Sequence, residues 1–184
     1  MRILPALSSP KGLLFLIIVI AALLRLWDLP SIPPGLYPDE AMNGNNALEA
    51  LATNDWKVFY PENNGREGLF INIQSASIAL FGNEPWALRL PSTLFGILTV
   101  LGVYFLTKEL FRENKHSTAI ALLAAFLLAT SFWHINFSRI GFRAIMAPAF
   151  LTWGVYLFLL CLNKIGNSKL EIRNLLTLPA LAGL

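Results

Sequence analysis

Charge is scarce in this 184-residue chain: 14% of its residues are Asp, Glu, Lys or Arg, against 55% that are hydrophobic. Soluble domains carry about a quarter charged residues, so the deficit, with a mean hydropathy of +0.58, points to a bilayer before any segment is inspected. Cysteine is nearly absent as well. The single Cys161 lies in an apolar run, which excludes an internal disulfide and a cysteine-based metal site and suits a small lipid- or core-facing side chain. The net charge is only +3, and the basic residues sit in short clusters between apolar runs, which argues against nucleic acid as a partner. No internal repeat, low-complexity tract or separate soluble domain stands out.

What the chain does have is long apolar runs. Crossing a hydrocarbon core of about 30 Å takes roughly 20 helical residues. Runs over 13–29, 90–106, 118–133 and 144–162 meet or approach that length, and a fifth over 175–184 reads as a span cut short, as in the N-terminal portion of a longer protein. Eight basic residues (Arg2, Lys11, Lys108, Arg112, Lys115, Lys164, Lys169 and Arg173) fall in 33 residues on one side of these runs, and five fall in 73 residues on the other. The positive-inside bias then puts the N-terminus in the cytoplasm and the loop 30–89 outside, in a multi-pass protein of the plasma or inner membrane. The first run has a basic start, but Arg25-Leu26-Trp27 stands where a small-residue cleavage site would be needed, so it reads as a retained anchor.

Within the outer loop, 69–81 is apolar but holds Asn72, Gln74, Ser75 and Ser77 and is too short to cross, so an interfacial helix is expected there. A second, more polar helix is expected over 40–52, with Ala41, Leu48, Leu51 and Ala52 at helical spacing. The turn-rich stretch 54–68 joins them. The predicted fold class is all-α: a polytopic transmembrane helical bundle with juxtamembrane helices in a long first extracytoplasmic loop.

The candidate chemistry lies in that loop. Acidic side chains close to a bilayer are costly and call for a reason. Asp39 follows Pro33-Pro34-Gly35 and Pro38, which stiffen its approach, and falls at the expected N-cap of the next helix. A helix cap and a catalytic base are both consistent with that position. Glu40 points about 100° away from Asp39 on a helix, which suits pairing with a nearby cation, a loop backbone or a second substrate group. Arg66 offers either a fork of donors for phosphate or a side chain snorkelling to anionic headgroups. Arg89, between apolar neighbours at a helix entrance, needs a buried acid, a lipid phosphate or an interface position. Arg139 and Arg143 share a short outer turn against the positive-inside tendency, which hints at an anionic ligand. His134 belongs to no recognisable metal or triad pattern.

Leu24-Arg25-Leu26, Tyr37-Pro38-Asp39-Glu40-Ala41, Gly65-Arg66-Glu67-Gly68-Leu69-Phe70, Ala87-Leu88-Arg89-Leu90-Pro91-Ser92 and Phe137-Ser138-Arg139-Ile140-Gly141-Phe142-Arg143 occur in this order. Together they resemble the N-terminal portion of a GT-C superfamily glycosyltransferase, of the kind related to protein mannosyltransferases, lipid A aminoarabinose transferases and the Rgt-like group. The resemblance implies a polyprenyl-phosphate-linked sugar donor, a lipid, glycan or protein acceptor, and inverting transfer on the extracytoplasmic face. It implies Asp39 as the base, with Glu40 beside it, and Arg66, Arg89, Arg139 and Arg143 as candidates for substrate phosphate. No metal-ligand cluster is evident, although a divalent cation bridging Asp39 or Glu40 to phosphate fits the chemistry. The alternatives are a transporter subunit, which the scarcity of polar residues inside the later spans disfavours, and a non-catalytic membrane interaction fragment. The charge asymmetry makes a direct prediction. In a Cys161→Ser background, a cysteine placed at position 39 should react with a membrane-impermeant maleimide in intact cells; reaction only after permeabilisation would reverse the orientation.

Overall fold

The computed structural model describes residues 9–62 and 64–181, with side chains up to residue 165. Arg2, the side chains of Lys169 and Arg173, and residues 182–184 of the expected fifth run lie outside the described residues. Among the described residues there are seven α-helices: α1 (Pro10–Leu26), α2 (Pro38–Thr53), α3 (Gly68–Phe81), α4 (Pro85–Leu110), α5 (Ser117–Ala129), α6 (Phe132–Arg139) and α7 (Met146–Leu181). A 3-10 turn (Arg143–Ile145) leads into α7, and two-residue strands β1 (Phe59–Tyr60) and β2 (Arg66–Glu67) pair antiparallel between α2 and α3. The fold is all-α, as the composition and the apolar runs predict.

Local sequence starts these helices in familiar ways. Ser9 caps α1, its hydroxyl accepting from the Gly12 N–H at 3.1 Å, and Pro10 occupies the first helical position, where a missing N–H costs nothing. Pro38 and Pro85 open α2 and α4 in the same way. Two helical segments, Pro85–Leu110 and Arg143–Ile165, are long and apolar enough to cross a membrane, and α5 with α6 makes a third if taken as one bent span. The expected run 118–133 is therefore not one straight helix: α5 ends at Ala129 and the chain bends by 56° into α6. The Thr130 hydroxyl donates back to Phe126 O at 2.9 Å, and Ser131 takes up extended geometry at the start of α6. At the other end, α7 runs unbroken to Leu181, joining runs that the sequence separates. The intervening Lys164, Lys169, Leu170, Glu171 and Arg173 are all good helix formers.

α4 is the centre of the fold and packs against α1, α3, α5, α6 and α7. Where it meets α1 and α5 the interface is built from small residues. Ala21, Ala121, Ala125 and Ala129 are fully buried around Ile17, Val100 and Tyr104, so the helix backbones approach closely without a large hydrophobic core.

The docking of α3 follows from a flaw in α4. Pro91 lies inside that helix and, lacking an N–H, leaves the Ala87 carbonyl without its donor. The Ser77 hydroxyl supplies one at 2.6 Å, and Gln74 Nε2, one helical turn earlier on α3, donates to Leu88 O at 2.9 Å. A buried carbonyl that loses its helical donor needs such a partner. The polar residues that mark 69–81 as interfacial are thus the face that α3 turns inward. One close contact in the bundle gives a prediction. A Cβ on Gly96 would lie 2.2 Å from Ser138 Oγ and 2.7 Å from Ser138 Cβ. Gly96→Ala should cost about 1–3 kcal/mol of stability through overpacking, read as earlier thermal aggregation in detergent; unchanged stability would contradict this packing.

Candidate active site

The site rests on a buried ion pair. Glu40 and Arg89 have side chains 1% exposed and meet with Arg89 Nε 2.7 Å from Glu40 Oε1. The same Oε1 accepts from the Gly141 N–H at 3.0 Å, and Oε2 accepts from Arg89 Nη2 at 3.3 Å and the Tyr37 N–H at 3.2 Å. Arg89 spends its remaining donors on the carbonyls of Leu29 (3.4 Å), Pro33 (2.9 Å) and Gly35. Both members expected to touch substrate are therefore fully engaged by the protein. Their shared effect is to fix the proline-rich approach to α2.

A second arginine completes that clamp. Arg139, 8% exposed, donates to Leu24 O at 3.1 Å, Trp27 O at 2.7 Å and Ile32 O at 2.8 Å. Leu24 and Trp27 sit at the C-terminal end of α1, where carbonyls have no intrahelical donor and the helix dipole favours a cation. Arg25 does the same at a deeper level. It is fully buried and bonds Ala21 O at 3.1 Å, Ala129 O at 3.0 Å and Leu128 O at 3.3 Å, which closes the end of α5. Its Nη2 also lies 2.8 Å from His134 Nδ1. A guanidinium only donates, so Nδ1 is the acceptor and Nε2 carries the proton. That Nε2 is buried and without a partner among the described residues. The sequence marks Arg25 within the run 13–29 and in Leu24-Arg25-Leu26 but assigns it no partner, and it leaves His134 without a pattern.

Above this framework is a polar cavity of about 340 Å³, lined by Asp39 and Asn43 from α2, by Asn64, Gly65 and Arg66 from the turn before α3, and by Phe142, Arg143 and Ala144 after α6. Three stretches far apart in sequence meet here because α2 presents a polar inner face. Its buried positions are Glu40, Asn43, Gly44, Asn46, Ala47 and Ala50. Leu48 and Leu51 are only partly buried and Ala52 is exposed, so the apolar residues noted at helical spacing are not the buried stripe. Asn43 and Glu40, one turn apart, hold Gly141 from both sides. Asn43 Nδ2 donates to its carbonyl at 3.3 Å while Glu40 accepts from its N–H. A Cβ there would fall 3.0 Å from both Glu40 Cγ and Gln74 Nε2, which explains the glycine.

Asp39 is not the cap. Tyr37 takes that place and Pro38 comes first in the helix, which puts Asp39 in the first turn, where the dipole still favours a carboxylate. It is half-buried at the cavity wall. Arg66 is 1% exposed and held by Asn43 Oδ1 at 2.6 Å, by Asn46 Oδ1 and by Glu62 O at 3.3 Å. Burial lowers its pKa and nearby Arg143 adds to this, while Glu62 and Asp39 act the other way. Arg143 is more open, with its Nε 3.3 Å from Glu67 Oε2. Of the six residues singled out in the sequence, Asp39, Arg66 and Arg143 thus line one cavity, and Glu40, Arg89 and Arg139 form its support. Asn43, Asn46 and Gly141 were not singled out. For Asn43 and Asn46 the sequence signal is the polar spacing 40, 43, 46 along α2, and Gly141 stands inside the stretch 137–143 quoted for the resemblance. Among the described residues no group of three or more His, Cys, Asp or Glu converges on a possible ion.

The ion pair gives a prediction about stability. Removing one partner of a buried pair strands the other and costs about 3–5 kcal/mol. Glu40→Ala should therefore lower the melting temperature and open the 27–36 loop to protease. Glu40→Ala combined with Arg89→Met should regain some of the loss. Equal losses in the single and double variants would show that the pair does not govern this loop.

The family profile described as dolichyl-phosphate-mannose-protein mannosyltransferase matches residues 69–184. The matched stretch includes Arg89, Arg139 and Arg143 and begins downstream of Asp39, Glu40 and Arg66. Neither curated proteins nor solved structures give a match to the chain. With more than half of its length matched and a helical membrane fold around a polar cavity, the chain belongs to the dolichyl-phosphate-mannose-protein mannosyltransferase family, membrane glycosyltransferases of the GT-C type.

Proposed function

We propose that the chain carries the catalytic base and the phosphate contacts of an inverting glycosyltransferase that takes its sugar from a polyprenyl-phosphate carrier. The observation that supports this reading most directly is the lining of the cavity: one carboxylate, Asp39, faces the same space as two guanidinium-bearing residues, Arg66 and Arg143. In this reading Asp39 accepts the proton of an acceptor hydroxyl as that oxygen attacks the anomeric carbon. The bond from the anomeric carbon to the phosphate oxygen breaks, and the electron pair leaves with the phosphate. Arg66, fixed by Asn43 and Asn46, and Arg143 stabilise the charge that grows there. A carrier lipid keeps its tail in hydrocarbon while its headgroup reaches the cavity, which accounts for a polar site at the end of an apolar bundle.

Glu40, Arg89 and Arg139 act as positioning residues in this scheme. They hold the 27–36 approach and Gly141, and through these they set Asp39 opposite Arg143. The reaction takes place on the extracytoplasmic face, and the acceptor is a lipid, glycan or protein hydroxyl. A divalent cation, if used, takes Asp39 as its carboxylate in preference to Glu40, because both oxygens of Glu40 are occupied by protein donors.

The test is Asp39→Asn in proteoliposomes supplied with polyprenyl-phosphate sugars. Loss of a general base lowers rates by about 10²–10⁴-fold, so sugar transfer should fall by that amount while membrane insertion and melting temperature stay within error of wild type. Transfer at the wild-type rate would refute Asp39 as the base.

A further inference from the structure

The arginines near the cavity differ in what holds them. Arg25, Arg66, Arg89 and Arg139 are buried and bonded to protein acceptors. Arg143 is 35% exposed, and its acid partner Glu67 is 76% exposed. Glu67 stands at the N-terminal boundary of α3, yet its side chain makes no capping hydrogen bond to that helix. Its carboxylate instead reaches across to Arg143, which follows α6 in the chain. An exposed pair of this kind is held weakly, typically by less than about 1 kcal/mol, and exchanges easily. The cavity that Arg143 lines is open to an anion, and Arg66 is already fixed in its wall.

The charge of the proposed ligand changes during the reaction. A sugar linked to a polyprenyl phosphate is a phosphodiester with one negative charge. The polyprenyl phosphate that leaves is a monoester, carrying up to two. We infer that Glu67 competes with the substrate phosphate for Arg143, and that this competition tunes turnover: Glu67 keeps the guanidinium while the donor is a monoanion, yields it as the leaving phosphate gains charge, and reclaims it as product departs. This rests on the glycosyl-transfer reading above. Glu67 touches neither the sugar nor the reacting atoms, so it is a positioning residue that acts through Arg143. No bond is made or broken by it; only the partner of one guanidinium changes.

The experiment measures binding of two soluble probes to the whole chain in nanodiscs at about pH 8, where a monoester phosphate is a dianion. The probes are decyl phosphate, a dianion, and methyl decyl phosphate, a permanent monoanion. Glu67→Gln should tighten decyl phosphate binding by roughly two- to fivefold, the range expected for freeing one exposed ion pair, and change methyl decyl phosphate binding by less than half of that factor. In an Arg143→Gln background the same Glu67→Gln change should have no effect. Equal tightening of both probes, no tightening of either, or an effect that persists without Arg143 would each overturn the competition. If the binding pattern holds but no polyprenyl-phosphate sugar is ever transferred, the exchange stands and the glycosyl-transfer reading fails. In an active preparation, Glu67→Gln should also strengthen inhibition by added polyprenyl phosphate, and unchanged product inhibition would count against the proposal.

Discussion

The Glu40–Arg89 pair is the constraint on which the cavity end of this protein depends. Taking a carboxylate and a guanidinium out of water costs several kcal/mol for each ion, and mutual attraction offsets that only when the remaining donors and acceptors are also satisfied. Here they are. Glu40 accepts from two backbone N–H groups in addition to Arg89, and Arg89 donates to three carbonyls of the approach loop. The pair joins α2, α4, the proline-rich approach and Gly141. A hydrophobic contact of the same size would give no such directionality. Arginine suits this position better than lysine because its planar fork reaches several acceptors at once.

The same solution recurs elsewhere in the fold. Arg25 and Arg139 close the carbonyl ends of α5 and α1, and Ser77 and Gln74 serve the carbonyls released around Pro91. Helix ends and helix breaks are needed to shape a site between spans, yet each exposes backbone that a bilayer cannot solvate. Buried side-chain donors meet that demand. The arrangement also separates labour. Saturated arginines hold the framework, while Arg143 at the cavity has a more exposed acid partner, Glu67. On the acid side, Glu40 is bonded to Arg89 and two backbone N–H groups, and Asp39 lies at the wall of the cavity.

Much of the helical architecture is legible in the order of residues. The apolar runs and helical spacings locate most of the helices but not their starts: α2 begins at Pro38 with Tyr37 as its cap, not Asp39, and α4 begins at Pro85, before the run over 90–106. The break between α5 and α6 is not legible, because Thr130 and Ser131 are compatible with a continuing helix until Arg25 takes the carbonyls of Leu128 and Ala129. The inward face of α2 is missed for a related reason. Hydrophobic spacing assumes that buried means apolar, and here Glu40, Asn43 and Asn46 are buried by pairing with arginines from other segments.

By itself the sequence determined the membrane class, the all-α fold and the residues that carry charge between the apolar runs, because hydrophobic runs and ionisable side chains are local properties. Only the tertiary structure decided which of those charges support the site and which line it. Asp39 and Glu40 are adjacent in the chain, and Arg139 and Arg143 share one turn, yet each pair is split between wall and framework. That split depends on which backbone carbonyls and N–H groups come within hydrogen-bonding distance, and those are supplied by segments up to about a hundred residues away.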